Sequence, residues 1–280
     1  MSDPQAPSQP KTNLTIGVFD SGFGGLTVLR ALLPLIPNAH YIYLGDTARL
    51  PYGSKSRETI ARYAVSSARF LLDQGADILV IACNTATALA LPEIQAAAAP
   101  LPVFGVVQPG AQAAKDQDTS VTQPHALVLA TAATVQSHAY HQALTALGLP
   151  ATEKACPLLV PLVEEGWIDH PVTAEVLRIY LLEALAEAPK ATTLLLGCTH
   201  YPLLKPLLET TLHALHHPMR IIDSAQATAH AVAEYLSPST STQPTTCDFY
   251  ATDSIEKFQR LGTAFLGQPL SEVHHIDLGG

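Results

Sequence analysis

The chain has 280 residues, with 24 Asp and Glu against 15 Lys and Arg, and a formal charge of −9. At 48% hydrophobic and 14% charged it lies outside the polar, charge-rich composition of disordered chains. No apolar run reaches the roughly 18–20 residues of a membrane span, and the scattered lysines and arginines form no basic stripe for nucleic acid.

Residues 1–13 (MSDPQAPSQPKTN) read as a disordered tail without the apolar core of an export signal, so a reducing cytoplasm is the expected setting. The four cysteines, Cys83, Cys156, Cys198 and Cys247, are then expected as free thiols rather than a disulfide framework. Residues 14–19 (LTIGVF) form a short buried strand that runs into a glycine-rich turn, 20–25 (DSGFGG), and a helix over 26–33. A second strand covers 41–44, and an amphipathic helix covers 56–73. Strands at 78–82 (ILVIA) and 103–107 follow, the first leading through Cys83-Asn84-Thr85 into another helix. Apolar strands alternating with helical periods indicate βαβ units around a parallel sheet.

After Pro109 the pattern restarts. A strand at 126–130 ends at Thr131. A short apolar segment, 156–163, ends in Glu164-Glu165-Gly166, and a helix covers 172–188. The strand 193–196 runs into Gly197-Cys198-Thr199-His200, and Ile221-Ile222 leads through Asp223-Ser224 into a helix over 225–236. Residues 237–246 (SPSTSTQPTT) are low in complexity and read as a surface loop. Asp20 and Thr131 stand 111 residues apart, Gly53 and Gly166 stand 113 apart, and Cys83 and Cys198 stand 115 apart. This near-constant offset predicts an α/β fold of two pseudo-symmetric parallel-sheet lobes, with a ligand cleft where the carboxyl ends of both sheets meet.

Cys83 and Cys198 each follow an apolar run and precede a helical opening, ILVIAC-NTATA and TLLLGC-THYPL. A helix N-terminus favours thiolate over thiol, so both are expected to have lowered pKa values. The same ends offer amides and hydroxyls to an anion, with Ser21, Asn84, Thr85, Thr131, Thr134 and Thr199 in such positions. Two thiols on opposite walls suit inversion of a stereocentre, where one face loses a proton and the other gains one. Asp20 beside the first thiol, and Glu164 and His200 beside the second, are candidate proton-handling partners. Cys156 and Cys247 lack such a setting and read as packing or surface. The other histidines lack ligand spacing, so no metal is expected.

The strings IGVFDSGFGGLTVLR, LGDTARLPYGSKS, IACNTATA, LATAATVQSHAY, CPLLVPLVEEG, LLGCTHYPLL and IIDSAQATA occur in this order between Ile16 and Ala229. Together they resemble the glutamate racemases. The resemblance implies cofactor-independent interconversion of L- and D-glutamate, supplying D-glutamate for peptidoglycan. It implies that Cys83 acts on the D-enantiomer, assisted by Asp20, and Cys198 on the L-enantiomer, assisted by Glu164 and His200. It places Asp20-Ser21, Tyr52-Gly53, Asn84-Thr85 and Thr199-His200 at the substrate, with Thr131 and Thr134 adding hydroxyls. The family's fold implies a first lobe of residues 14–107 with 221–280 and a second of 108–220. A homodimer is expected, with neither nucleic acid nor membrane as partner. The competing readings are an aspartate racemase, a cysteine hydrolase or amidotransferase using Cys198 with His200, a two-lobed ligand sensor, and a pyridoxal phosphate enzyme. The last is disfavoured because no motif carries a lysine placed to hold that cofactor. At −9 the chain repels an anionic amino acid at long range, so capture must depend on local helix ends and hydroxyls.

Overall fold

A computed structural model of the chain describes residues 14–116, 124–236 and 243–279. The tail 1–13 and most of the low-complexity loop, 237–242, lie outside the described residues. The first lobe begins β1 (Thr15–Asp20), α1 (Leu26–Leu35), β2 (His40–Gly45), α2 (Arg57–Asp73), β3 (Ile78–Ile81), α3 (Asn84–Ala98) and β4 (Val103–Gly105). α4 (Val107–Asp116) leads into the second lobe: β5 (Ala126–Ala130), α5 (Ala132–Ser137), α6 (Ala139–Ala146), β6 (Ala151–Ala155), α7 (Leu159–Glu164), α8 (Pro171–Glu187), β7 (Thr193–Gly197), α9 (Lys205–Ala214) and β8 (Arg220–Asp223). α10 (Ser224–Tyr235), β9 (Thr246–Ala251), α11 (Ile255–Leu266) and β10 (Val273–His275) complete the chain.

All strand pairs are parallel, in two sheets ordered β10-β9-β2-β1-β3-β4 and β6-β5-β7-β8. The run 2-1-3-4 in the first sheet is repeated as 6-5-7-8 in the second, so the constant offset in sequence is a repeat of topology. β1, β3, β5 and β7 are buried along their whole length, as parallel strands covered on both faces require. Local signals start the helices. Ser56 caps α2 by accepting from the Thr59 amide, Thr131 caps α5 from the Thr134 amide, and Asp223 caps α10 from the Ala225 amide. α10 packs on α1 and α4, and one apolar cluster runs through both lobes, from Ile16 and Val18 to Leu127, Leu194 and Leu208.

Several expectations are corrected. Residues 221–223 do not return to the first lobe: β8 pairs with β7, Thr193 opposite Arg220 and Leu196 opposite Asp223. Two apolar residues are too short a run to choose a sheet, but the repeated strand order makes β8 the counterpart of β4. The return begins with α10, which packs on α1, and reaches the sheet when β9 adds beside β2 and β10 beside β9. The expected strand at 103–107 ends at Gly105, and Val107 opens α4. The apolar segment 156–163 is a turn into α7, which puts Glu164 at that helix's C-terminal end. β6 was not anticipated, because ATEKA is a half-buried edge strand without an apolar run.

Candidate active site

The carboxyl ends of both sheets open onto one cavity of about 600 Å³. Ser21, Tyr52, Gly53, Cys83, Asn84, Thr85, Thr131, Glu164, Cys198, Thr199 and His200 lie on its wall. Of the residues singled out in the sequence, only Asp20 and Thr134 stand behind the wall. Asp20 is 1% exposed, and its Oδ1 accepts from the Thr199 hydroxyl at 3.5 Å. Thr134 is fully buried and shares its hydroxyl with Thr85 at 3.2 Å and Thr131 at 3.0 Å. With Thr85 and Thr131 also 3.0 Å apart, these three hydroxyls join α3 of one lobe to α5 of the other.

Cys83 is the N-cap of α3. Its Sγ accepts from the Ala86 amide at 3.4 Å and faces the Ser21 hydroxyl at 3.5 Å. The expected acidity is nevertheless reversed. Burial, and then the Asp20 carboxylate, push the Cys83 thiol up to about 11, against the pull of Ser21 and the Ala86 amide. Burial pushes Cys198 up as well, against the pull of the His200 amide. Each thiol is 5% exposed, and desolvation of the thiolate outweighs the helix end. Cys198 in addition lacks a direct α-helical N-terminus. A 3₁₀ turn over Tyr201–Leu204 separates it from α9.

The two thiols have different companions. Cys198 Sγ lies 4.0 Å from His200 Nδ1, and His200 Nε2 lies 3.2 Å from Glu164 Oε1. Burial works against the Glu164 charge, but His200 and Lys257 together hold its carboxyl below the ordinary carboxylate value. Burial raises Asp20, against the opposing pull of His200 and of the Gly25 and Gly22 amides. A Cβ on Gly24 would stand 2.2 Å from Thr199 Oγ1 and 2.6 Å from His200 Nδ1, so glycine lets the first lobe's turn lie against Thr199 and His200 of the second lobe.

Sequence reasoning missed the supports of this wall. Tyr140 donates to Asn84 Oδ1 at 2.6 Å and fixes the amide, whose buried Nδ2 has no hydrogen-bond partner among the described residues. Asp46, fully buried, accepts from Arg49 Nε, Tyr52 OH and Thr252 Oγ1, and so anchors the turn carrying Tyr52-Gly53. Lys257 and Phe265 reach the Glu164–His200 pair from α11. The string LGDTARLPYG contains Asp46, Arg49 and Tyr52 together, which was the available signal; no local signal ties α11 to Glu164. Cys156 is buried, and Cys247 is partly buried in β9; neither is on the cavity wall.

Among the described residues no helix is long and apolar enough to cross a membrane. The family model described as Asp/Glu/hydantoin racemase matches residues 21–232. A glutamate racemase of Koribacter versatilis is 51% identical, covering 95% of this chain and 98% of its own length. The crystal structure of a Francisella tularensis glutamate racemase in complex with D-glutamate matches with a TM-score of 0.86 at 33% identity, covering 95% of this chain and 98% of that one. A Thermus thermophilus glutamate racemase in complex with β-chloro-D-alanine matches at 0.83 and 40% identity, covering 96% and 99%. Two like sheets meeting over a paired-thiol cleft and near full-length kinship thus agree: this chain belongs to the Asp/Glu/hydantoin racemase family.

Proposed function

We propose that this chain interconverts L- and D-glutamate by two-base proton transfer at Cα, without a cofactor. The observation that carries the proposal is the placement of Cys83 and Cys198 at the ends of corresponding strands, β3 and β7, on the wall of one cavity. One thiolate removes the Cα proton from one face while the other thiol delivers its proton to the opposite face. One proton enters and one leaves, and the two sulfurs exchange protonation states. Asp20 stands ready to take the Cys83 proton, and His200 backed by Glu164 to take that of Cys198. The unpartnered Nδ2 of Asn84 and the hydroxyls of Ser21, Thr85 and Thr199 are donors for the substrate's carboxylates. Among the described residues Lys55 is the one lysine on the cavity wall, consistent with an anion held mainly by neutral donors. The kinship to glutamate racemases supports glutamate over aspartate; the same reading makes the chain a cytoplasmic homodimer whose D-glutamate serves peptidoglycan.

The test is racemisation of glutamate and aspartate by the parent, Cys83→Ala and Cys198→Ala proteins in deuterium oxide. Glutamate turnover with deuterium entering at Cα, abolished in each variant, is the expected result. A Cys83→Ala protein that turns over normally would favour a hydrolase built on Cys198 and His200. Activity on aspartate alone would reassign the substrate.

A further inference from the structure

We propose that Lys257 is a positioning residue of the Cys198 side, spanning the cleft from α11 to hold Glu164 in place behind His200; this rests on the racemase reading above. Lys257 Nζ donates to Glu164 Oε2 at 2.9 Å, while Glu164 Oε1 faces His200 Nε2 at 3.2 Å and His200 Nδ1 faces Cys198 Sγ. The lysine therefore ends a chain of four side chains that begins at a thiol. The same ammonium lies 5.3 Å from the centre of the Phe23 ring, in the glycine-rich turn of the first lobe. It thus meets one side chain from each lobe. Phe265, also on α11, meets the His200 ring edge-on with centroids 5.1 Å apart. α11 lies wholly beyond residue 232, where the family match ends, so the support comes from a part of the chain that this match does not cover.

The chemistry of this position follows from charge. Glu164 orients His200 by accepting at Nε2, which leaves Nδ1 toward the thiol. A carboxylate with one oxygen on an imidazole and the other on an ammonium is held in one orientation and kept ionised. The charged and titratable groups around Glu164 are His200 and Lys257 on its two oxygens, Cys198 and, across Thr199, Asp20 beside His200, and Cys83, Glu165 and Lys55 on the same cavity wall. Lys257 is the one of these that pairs with Glu164 from outside the cavity, so it is separable from substrate binding.

The experiment compares Lys257→Met, Lys257→Arg and the distant surface variant Arg178→Met in steady-state racemisation of both enantiomers across pH. In Lys257→Met, kcat falls about fivefold, the worth of one partly screened ion pair, and its acid limb moves to higher pH because Glu164 loses a cation. Lys257→Arg restores both, and Arg178→Met changes neither. A carbon-13 titration of Glu164, assigned with Glu164→Gln, reads the same upward movement without turnover. A Lys257→Met protein with the parental pH profile and Glu164 titration overturns the proposal. So does an equal loss in Met and Arg variants with no movement of the limb. If the parent racemises neither amino acid, the racemase reading fails, and the titration alone still decides whether Lys257 controls Glu164.

Discussion

The sharpest disagreement between helix-end chemistry and burial concerns the acidity of Cys83, and it is open to direct measurement. An ordinary cysteine titrates near 9, and Cys83 is pushed up to about 11, first by burial and second by the Asp20 carboxylate. At pH 9 an ordinary thiol is about half ionised, whereas one at about 11 is ionised to about 1%. Full release of the shift would thus raise the thiolate fraction, and the alkylation rate, by about fiftyfold. Asp20→Asn removes only the second cause, so the gain at pH 9 must be smaller than fiftyfold yet well above onefold. The sign is fixed: less negative charge beside the sulfur favours the thiolate. The assay is iodoacetamide labelling from pH 7 to 11, with Cys83 followed by peptide mass spectrometry. The parent should show slow labelling that rises steeply only above pH 9, and Asp20→Asn should rise earlier. A parent Cys83 half-reactive below pH 8.5 would show that the α3 end outweighs burial. Coinciding parent and variant curves would show that Asp20 exerts no field on the sulfur.

Two further substitutions test the supports of the cavity. Gly24→Ala drives a Cβ to 2.2 Å from Thr199 Oγ1 and 2.6 Å from His200 Nδ1, so those side chains must move. Turnover should drop by roughly a hundredfold, the cost of about an ångström of misplacement, and overpacking should cost about 1–3 kcal/mol in chemical denaturation; near-parental kinetics would contradict the close approach. Asp46→Asn removes the carboxylate facing Arg49, whose side chain is 9% exposed, and leaves a buried cation without its counter-charge. A loss of about 3–5 kcal/mol is expected, with a raised KM as the Tyr52-Gly53 turn loosens; urea unfolding showing under 1 kcal/mol would refute the burial of this pair's charge.

The parts of this molecule legible from sequence are those whose cause is local. β1, β3, β5 and β7 announce themselves as short continuous apolar runs because parallel strands are covered on both faces. The residues following them that line the cavity could be named because a parallel sheet presents its carboxyl ends to the cleft. The edge strands were less visible. β6 reads ATEKA, since an edge strand needs no apolar run, and β9, though it lies between β10 and β2, reads TCDFYA and is only partly buried. The partner of β8 could not be read from two isoleucines, and only the repeated order 2-1-3-4 and 6-5-7-8 explains it. Thiol acidity was misjudged for a different reason. A helix N-terminus is visible in sequence, whereas the desolvation that overrides it depends on every atom around the sulfur. Lys257 is 93 residues from Glu164, and no pattern along the chain connects them.

The repeated halves are equivalent in position and unlike in the side chains behind their thiols, and the difference has a structural origin. β9 and β10 extend only the first sheet. They deliver Thr252 to Asp46 on one wall and α11 to Glu164 and His200 on the other. Cys83 is left with a carboxylate held by backbone amides and the Thr199 hydroxyl behind it, whereas Cys198 gains a chain of imidazole, carboxylate and ammonium. A negative charge on Cys83 raises Cys198, one of the causes of its displacement after burial and the His200 amide. Two thiols that oppose each other's ionisation in one buried cavity favour carrying a single charge between them. The two-base inversion proposed above needs that state, one sulfur able to accept a proton and the other still holding one. The burial that defeats the helix-end expectation for each thiol alone therefore supports the pair, because it makes double ionisation costly and leaves the direction of transfer to whichever sulfur has lost its proton.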